Sequence, residues 1–491
     1  MFGFNTERSD AFNVYLFAAS ALGLGIVFNY LFFDKYVGIS VFIFGVLAIA
    51  VTALLSARIG SAYRSAVPYA VAALCFMAMV AIRDSEFLTF LNIVASLGLL
   101  LLAAQEMQKK RVSDFKILDY IVTVVTIPFR ILSRFIASVL FISRPSGSSS
   151  GAVIKKVLVG IVMAIPFLLF FGILFMSADA AFKQFVDSIF QFHIPENIFA
   201  QGVIIAVITA ACLGIFVYLF NIPARKGEEN TRELGFKKEA AHRSVEVSVF
   251  LWLIAGLFAL FLIFQIAYLF GGALTISQEN FTYAEYARKG FWELLVVSFF
   301  TLLVLLVMDM YTKTKSSRLS WFIFPGFVLV VETLVIVASA FKRLMLYQEA
   351  YGLTTLRLYV LGFIIFLALV FVVLAFKLVR EKEDRFFAFS TLLLMIGFLA
   401  VFNVINPDAF ITQKNIDRFE KIGKIDLHYI GTMSADAVPP LLAFSERITG
   451  EDKNTLQAKL MVKKDELERM ASHWESFNFS RSTALKLLRN N

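Results

Sequence analysis

Apolar runs of about 20 residues, separated by short polar segments, recur along most of this chain and leave few folds open to it. A helix needs roughly 20 mainly apolar residues to cross a hydrocarbon layer about 30 Å thick. Eleven runs meet that criterion, near 12–33, 37–57, 66–82, 87–107, 156–177, 198–220, 247–271, 290–310, 321–341, 356–377 and 386–405. Lipid offers no partner to a backbone amide, so such runs are helices, and the alternation of a membrane β-barrel is missing. Composition agrees: 59% of the residues are hydrophobic and 17% charged, against roughly 45–50% and about 25% in soluble domains. Ordinary soluble enzymes and disordered chains are excluded. The expected fold is an all-α integral membrane protein with about eleven transmembrane helices.

Lys and Arg set the expected orientation. With the N-terminus inside, alternate loops on the inner side carry 25 of the 46 basic residues and the outer loops 8. Positive charge is retained in the cytoplasm, so the pattern favours N-terminus in and C-terminus out. The net charge of +9 then reflects cytoplasmic loops and does not point to nucleic acid.

The stretch 119–143 is apolar but is not expected to span. Asp119, Thr123, Thr126, Arg130, Arg134 and Ser138 recur at steps of three or four and form one polar stripe. Two arginines at mid-span are costly in hydrocarbon. The stripe suits an amphipathic helix on the inner leaflet, with anionic lipid as partner at Arg130 and Arg134. The organisation expected is therefore a four-helix membrane segment (1–110), a cytoplasmic amphipathic helix and linker (111–155), a seven-helix membrane core (156–405), and a small helical extracytoplasmic region (406–491). In the last of these, Pro439 and Pro440 are expected to break the chain.

Cys75, Cys212 and the four histidines have no metal-ligand spacing, and the chain has no nucleotide-binding loop, HExxH or GxSxG. No cofactor is expected. Chemistry, if present, belongs to polar groups at membrane depth. FTYAEYARKGFWE (281–293) enters a span with Tyr283, Glu285, Tyr286, Arg288 and Glu293. Tyr351 and Arg357 precede and enter the span at 356–377, and Arg357 could bridge to Glu285 or Glu293. Glu332 lies near the bilayer centre, where an acid is a functional-site candidate by default, with Gln265 and Asn403 as possible partners. Asn406, Asp408 and Asn415 follow the last span, which Asn406-Pro407 should end.

Five blocks in order carry a resemblance: FTYAEYARKGFWEL, YGLTTLRLY, NPDAFITQKNIDR, IDLHYIGTMSADAVPPLL and HWESFNFSRSTAL. Together they resemble a bacterial family of polytopic membrane proteins known only as a domain of unknown function, DUF4173, related to DUF4153. The resemblance covers roughly residues 155–491. It implies a multi-pass membrane protein and no particular activity. It also implies that Tyr283, Glu285, Tyr286, Arg288, Glu293, Tyr351, Arg357, Asn406, Asp408, Asn415 and Asp436 are family features.

Three functional classes fit the sequence. The first is a non-enzymatic protein of transport, lipid flipping or envelope assembly with an outer polar site. The second is a membrane enzyme acting on a lipid-linked substrate, which would need an acid in the first outer loop, where Asp34 is the sole candidate. The third is a sensor or scaffold.

Overall fold

The computed structural model describes residues 4–59, 64–142, 196–220, 249–262 except 250 and 261, 291–311, 323–380 and 382–490. All regular structure among them is helical. The helices before the tail are α1 (Phe4–Phe32), α2 (Ile39–Ile59), α3 (Val67–Ile82), α4 (Glu86–Met107), α5 (Ile117–Ile142), α6 (Glu196–Phe220), α7 (Phe291–Tyr311), α8 (Phe324–Tyr351), α9 (Thr355–Val379) and α10 (Asp384–Ile405). The tail adds α11 (Pro407–Ile422), α12 (Leu427–Gly431), α13 (Val438–Ser445), α14 (Glu451–Met470) and α15 (Phe479–Asn490).

Eight of the described helices are long and apolar enough to cross a membrane, and they coincide with eight of the eleven expected runs. α7 and the helical segment Leu251–Leu260 fall in two more, with shorter apolar stretches. The run 156–177 lies outside the described residues. Many large apolar side chains face outward on these helices, among them Leu54, Leu253, Leu356 and Val404, as a lipid-facing surface requires.

α6 lies between α1 and α5, and glycines set how closely they approach. A Cβ on Gly25 of α1 would come 2.8 Å from the Ile205 carbonyl oxygen, and one on Gly214 would come 2.6 Å from that of Ile131. Small residues let membrane helices meet backbone to backbone. α5 follows α6 antiparallel: Ile127 packs with Tyr218 and Leu219, Ile131 meets Gly214, and Phe135 joins Phe17, Leu213 and Phe216. The stretch expected to lie on the inner leaflet is thus a helix packed lengthwise on α6.

α10 ends at Asn406, which adopts φ 56°. Asn tolerates the left-handed conformation better than most residues, and Pro407 then starts α11, where its missing N–H costs nothing. Pro439 and Pro440 differ from expectation. They occupy the first turn of α13, so they open a helix. The tail does not form a separate core. Its Ile411, Leu427, Val438, Leu456 and Leu485 pack in one apolar cluster with Phe76 of α3, Leu88 of α4, Tyr359 of α9 and Phe402 of α10.

Candidate functional site

The polar residues flagged near the end of α10 converge where the tail meets the α1–α2, α3–α4 and α8–α9 loops. We call this the tail end of the bundle. The closing block of the sequence makes the first contacts. Lys35 of the α1–α2 loop pairs with Glu475 at 2.5 Å, the Tyr36 amide donates to Ser476 Oγ at 3.0 Å, and the Ile39 amide donates to the Phe477 carbonyl at 2.8 Å. Gly38 makes this approach possible. A Cβ there would lie 2.5 Å from the Phe477 oxygen and 2.7 Å from Ser476 backbone atoms. The Asn478 amide donates to the Val80 and Arg83 carbonyls at 3.0 and 2.8 Å, closing the end of α3. It also explains the block's composition: Glu475, Ser476 and Asn478 are all buried and each has a partner, as buried polar groups require.

Beside this seam lies a cluster of carboxylates and guanidiniums. The Arg481 Nε donates to Asp84, and its Nη1 donates to the Val37 carbonyl at 3.0 Å. Asp84 and Asp436 face one another across the seam and each takes a backbone amide from the other's segment. The Asp84 amide donates to Asp436 Oδ2 at 2.7 Å, and the Ala435 amide donates to Asp84 Oδ2 at 2.9 Å. Ser480 donates to Asp436, and Arg83 Nη1 stands 3.9 Å from the same carboxylate. Asp408 accepts from the Ser434 amide at 3.2 Å. Among the described residues, Arg481 pairs with Asp84 and Arg83 with Asp436. Burial raises the Asp84 carboxyl above its ordinary value. Arg481 and the Ala435 amide pull it down, and Asp436 adds to the rise. Glu475 moves the other way, because the hydrogen bond from Lys35 holds it low.

A polar column descends from this cluster between α4 and α10. Arg83 Nε donates to the Asn403 carbonyl at 2.8 Å. The Asn403 and Asn92 side chains exchange hydrogen bonds at 2.9 and 2.8 Å, and Ser96 lies one turn deeper on α4, donating to the Asn92 carbonyl at 2.7 Å. All three residues are buried.

A second set of contacts holds the α8–α9 loop. Asn415 of α11 accepts from the Leu353 amide at 3.0 Å and donates to the Leu353 carbonyl at 2.8 Å, reading that peptide as a strand would. Gly352 adopts φ 80°, and a Cβ there would meet Asn415 Oδ1 at 2.5 Å. Arg418 donates to the Glu349 and Ala350 carbonyls at 3.1 and 2.6 Å, closing the last turn of α8, where a cation also opposes the helix dipole. The Thr355 amide donates to the Tyr429 hydroxyl at 2.7 Å.

Of the candidates named from sequence, Asp408 and Asn415 belong to these contacts, and Asn406 forms the turn that delivers them. Arg357 donates to the Gly352 carbonyl at 2.5 Å and stacks over the Tyr347 ring at 4.1 Å, with the Tyr351 ring at 6.0 Å. The described partners of Arg357 are therefore local. Tyr283, Glu285, Tyr286 and Arg288, and the possible partner Gln265, lie outside the described residues, and Glu293 falls in the first turn of α7 with no described side chain. Asn403 is not a partner of Glu332, since Asn92 takes it. Glu332 is half-buried on α8, and its Oε2 has no hydrogen-bond partner among the described residues. Sequence reasoning missed Lys35, Asp84, Asn92, Glu475, Asn478 and Arg481. The signal was present in the closing block, whose charged and amide residues stand among Trp474, Phe477 and Phe479.

At the far end, Lys377 of α9 is 3% exposed and pairs with Asp309 of α7 at 2.5 Å and Asp384 of α10 at 2.8 Å. This triad ties three helices together. No group of three or more metal-ligating side chains occurs among the described residues.

Residues 67–444 match the family model of a domain of unknown function, DUF4153. It is this family, rather than DUF4173, that the match shows. The match starts well before the five sequence blocks and stops short of the last of them. No curated protein and no solved structure matches the chain.

Proposed function

The chain belongs to the DUF4153 family, and on that premise we propose that it is a non-enzymatic protein of the bacterial cytoplasmic membrane, N-terminus in and C-terminus out, acting in envelope assembly. Its tail serves as a rigid platform on the outer face, and its partner in the membrane is the bilayer itself. One observation carries this reading. The polar residues at the tail end are spent on one another, Arg481 on Asp84, Asn415 on Leu353 and Glu475 on Lys35. A site evolved to bind a substrate would leave such groups pointing into a cleft. These instead lock 86 residues of tail (406–491) onto three loops.

A second reading, transport coupled to a proton, is favoured by Glu332, whose Oε2 is without a hydrogen-bond partner among the described residues, in an apolar helix. Complementation of a deletion strain scored for envelope defects separates the two. The platform reading expects Glu332→Gln to complement fully and Arg481→Ala to fail. Failure of Glu332→Gln, with the protein at normal levels and Arg481→Ala complementing, would overturn it in favour of transport. Asp34→Asn tests the enzymatic class in the same strain and is expected to complement.

A further inference from the structure

At the far end, α4, the Val112–Asp114 turn and α5 line an open cavity of about 350 Å³. It sits where α4 leaves the membrane. Gln108, just beyond α4, donates to the Leu219 carbonyl at the end of α6 at 2.9 Å, so the cavity mouth is level with the ends of two spans. Its inner wall includes Arg130, beside Ile131, which meets Gly214. Gly214 is six residues, about 9 Å, inward from Phe220. The cavity therefore reaches from headgroup depth toward the acyl region.

The lining is charged unevenly. Asp114 is engaged by Arg385 at 3.4 Å, and Asp119 accepts the Lys116 amide at 2.8 Å. Lys110 and Arg111 line the same cavity, and neither makes an ion pair with a described residue. Gln105 is 3% exposed, and its Oε1 has no hydrogen-bond partner among the described residues. A buried amide oxygen without a donor is costly to leave unsatisfied. The cavity is thus set up for a group that presents negative charge to Lys110 and Arg111 and a hydroxyl to Gln105. Leu118, Ile121, Val122 and Val125 stand about half exposed on the adjoining turns of α5, so an apolar surface adjoins the charged mouth.

We propose that this cavity is a binding site for an anionic phospholipid with a hydroxylated headgroup. The phosphodiester sits on Lys110 and Arg111 with Arg130 on the inner wall, the headgroup hydroxyl donates to Gln105 Oε1, and an acyl chain lies along Leu118, Ile121 and Val125. The proposal stands apart from the platform reading, because it concerns the other end of the bundle.

Native mass spectrometry of the full-length protein in detergent tests it, titrating dioleoyl phosphatidylglycerol, dioleoyl phosphatidylcholine, dioleoyl phosphatidic acid and soluble glycerol 3-phosphate. Phosphatidylglycerol is expected to bind more tightly than phosphatidylcholine, and glycerol 3-phosphate not to displace it. Lys110→Gln with Arg111→Gln should weaken phosphatidylglycerol roughly thirtyfold, from two lost surface cations. Gln105→Leu should erase the preference for phosphatidylglycerol over phosphatidic acid, which lacks the hydroxyl. Equal binding of phosphatidylglycerol and phosphatidylcholine, or unchanged binding in the double variant, overturns the site. Displacement by glycerol 3-phosphate at similar affinity overturns the lipid as its occupant. Should the double variant not fold, Lys110→Gln alone, at an exposed position, carries the same test.

Discussion

Arg481→Ala is the most direct probe of the clasp between tail and membrane helices. The guanidinium makes two hydrogen bonds, one to the Asp84 carboxylate and one to the Val37 carbonyl. The side chains of Arg481 and Asp84 are only 18% and 11% exposed, so solvent does little to screen the pair. A hydrogen bond to a charged group contributes about 1.5–3 kcal/mol, and stranding one member of a buried ion pair costs about 3–5 kcal/mol. Local opening of the tail should therefore become about 3–5 kcal/mol easier. Hydrogen exchange across the Ala435–Ser445 amides reads that opening directly, and protection should fall by about two to four powers of ten. Arg481→Lys keeps the charge but loses the fork, so it should fall between the two. Adding Asp84→Asn to Arg481→Ala removes the stranded carboxylate and should restore on the order of 2 kcal/mol. Less than a tenfold loss of protection in Arg481→Ala, or no recovery in the double variant, would refute the clasp.

Three further outcomes follow from the same contacts. Gly352→Ala forces an L residue to φ 80° against the Asn415 amide. It should cost about 2 kcal/mol or more, seen as a lower melting temperature in detergent with protection lost first in the α8–α9 loop. Asn92→Ala leaves the buried Asn403 amide without its partner and should cost about 1–3 kcal/mol, while Asn92→Leu with Asn403→Leu should come back close to wild type; thermal unfolding of the three proteins measures both. The two shifted carboxyls give opposite pH dependence. Asp84 has a raised value in the fold, so its contribution is fullest below its ordinary 3.8 and is lost as pH rises through the raised value. Glu475 has a lowered value, so its contribution is present above its ordinary 4.5 and is lost as pH falls through the lowered one. In melting curves across pH, Asp84→Asn should flatten the decline on the upper side and Glu475→Gln the decline on the acid side.

The spans were legible because bilayer thickness dictates run length, and a run of about 20 apolar residues leaves one economical structure. The Asn406-Pro407 break was legible for the same local reason, since backbone conformation at a helix end is set by two residues. The site was legible only as a collection of costly polar groups. Asp408 and Asn415 were marked by their position at a membrane boundary, yet nothing local says what they touch. Asp84 and Arg481 are 397 residues apart, and Lys35 and Glu475 are 440 apart. Pairings over such distances depend on how the helices assemble. Arg357 shows the limit from the other side. A carboxylate partner was the economical guess for a guanidinium near lipid, but a loop carbonyl and the Tyr347 ring, both within ten residues, provide for it.

The stitching of the tail also fixes a parity. The α1–α2, α3–α4 and α8–α9 loops all touch the tail, so they share one face of the membrane. The chain leaves that face down α4 and returns to it up α8, so it must cross an even number of times in between. On the proposed topology, in which α1 to α4 and α8 to α10 each cross once, the total is odd, which is what a chain with its ends on opposite faces requires. The hydrogen bond from Gln108 to Leu219 sharpens this, because it brings the ends of α4 and α6 to the same face. The chain must then cross an odd number of times between them. The α-helix described between them is α5, so whether it crosses or lies flat sets the parity left to the rest of the passage.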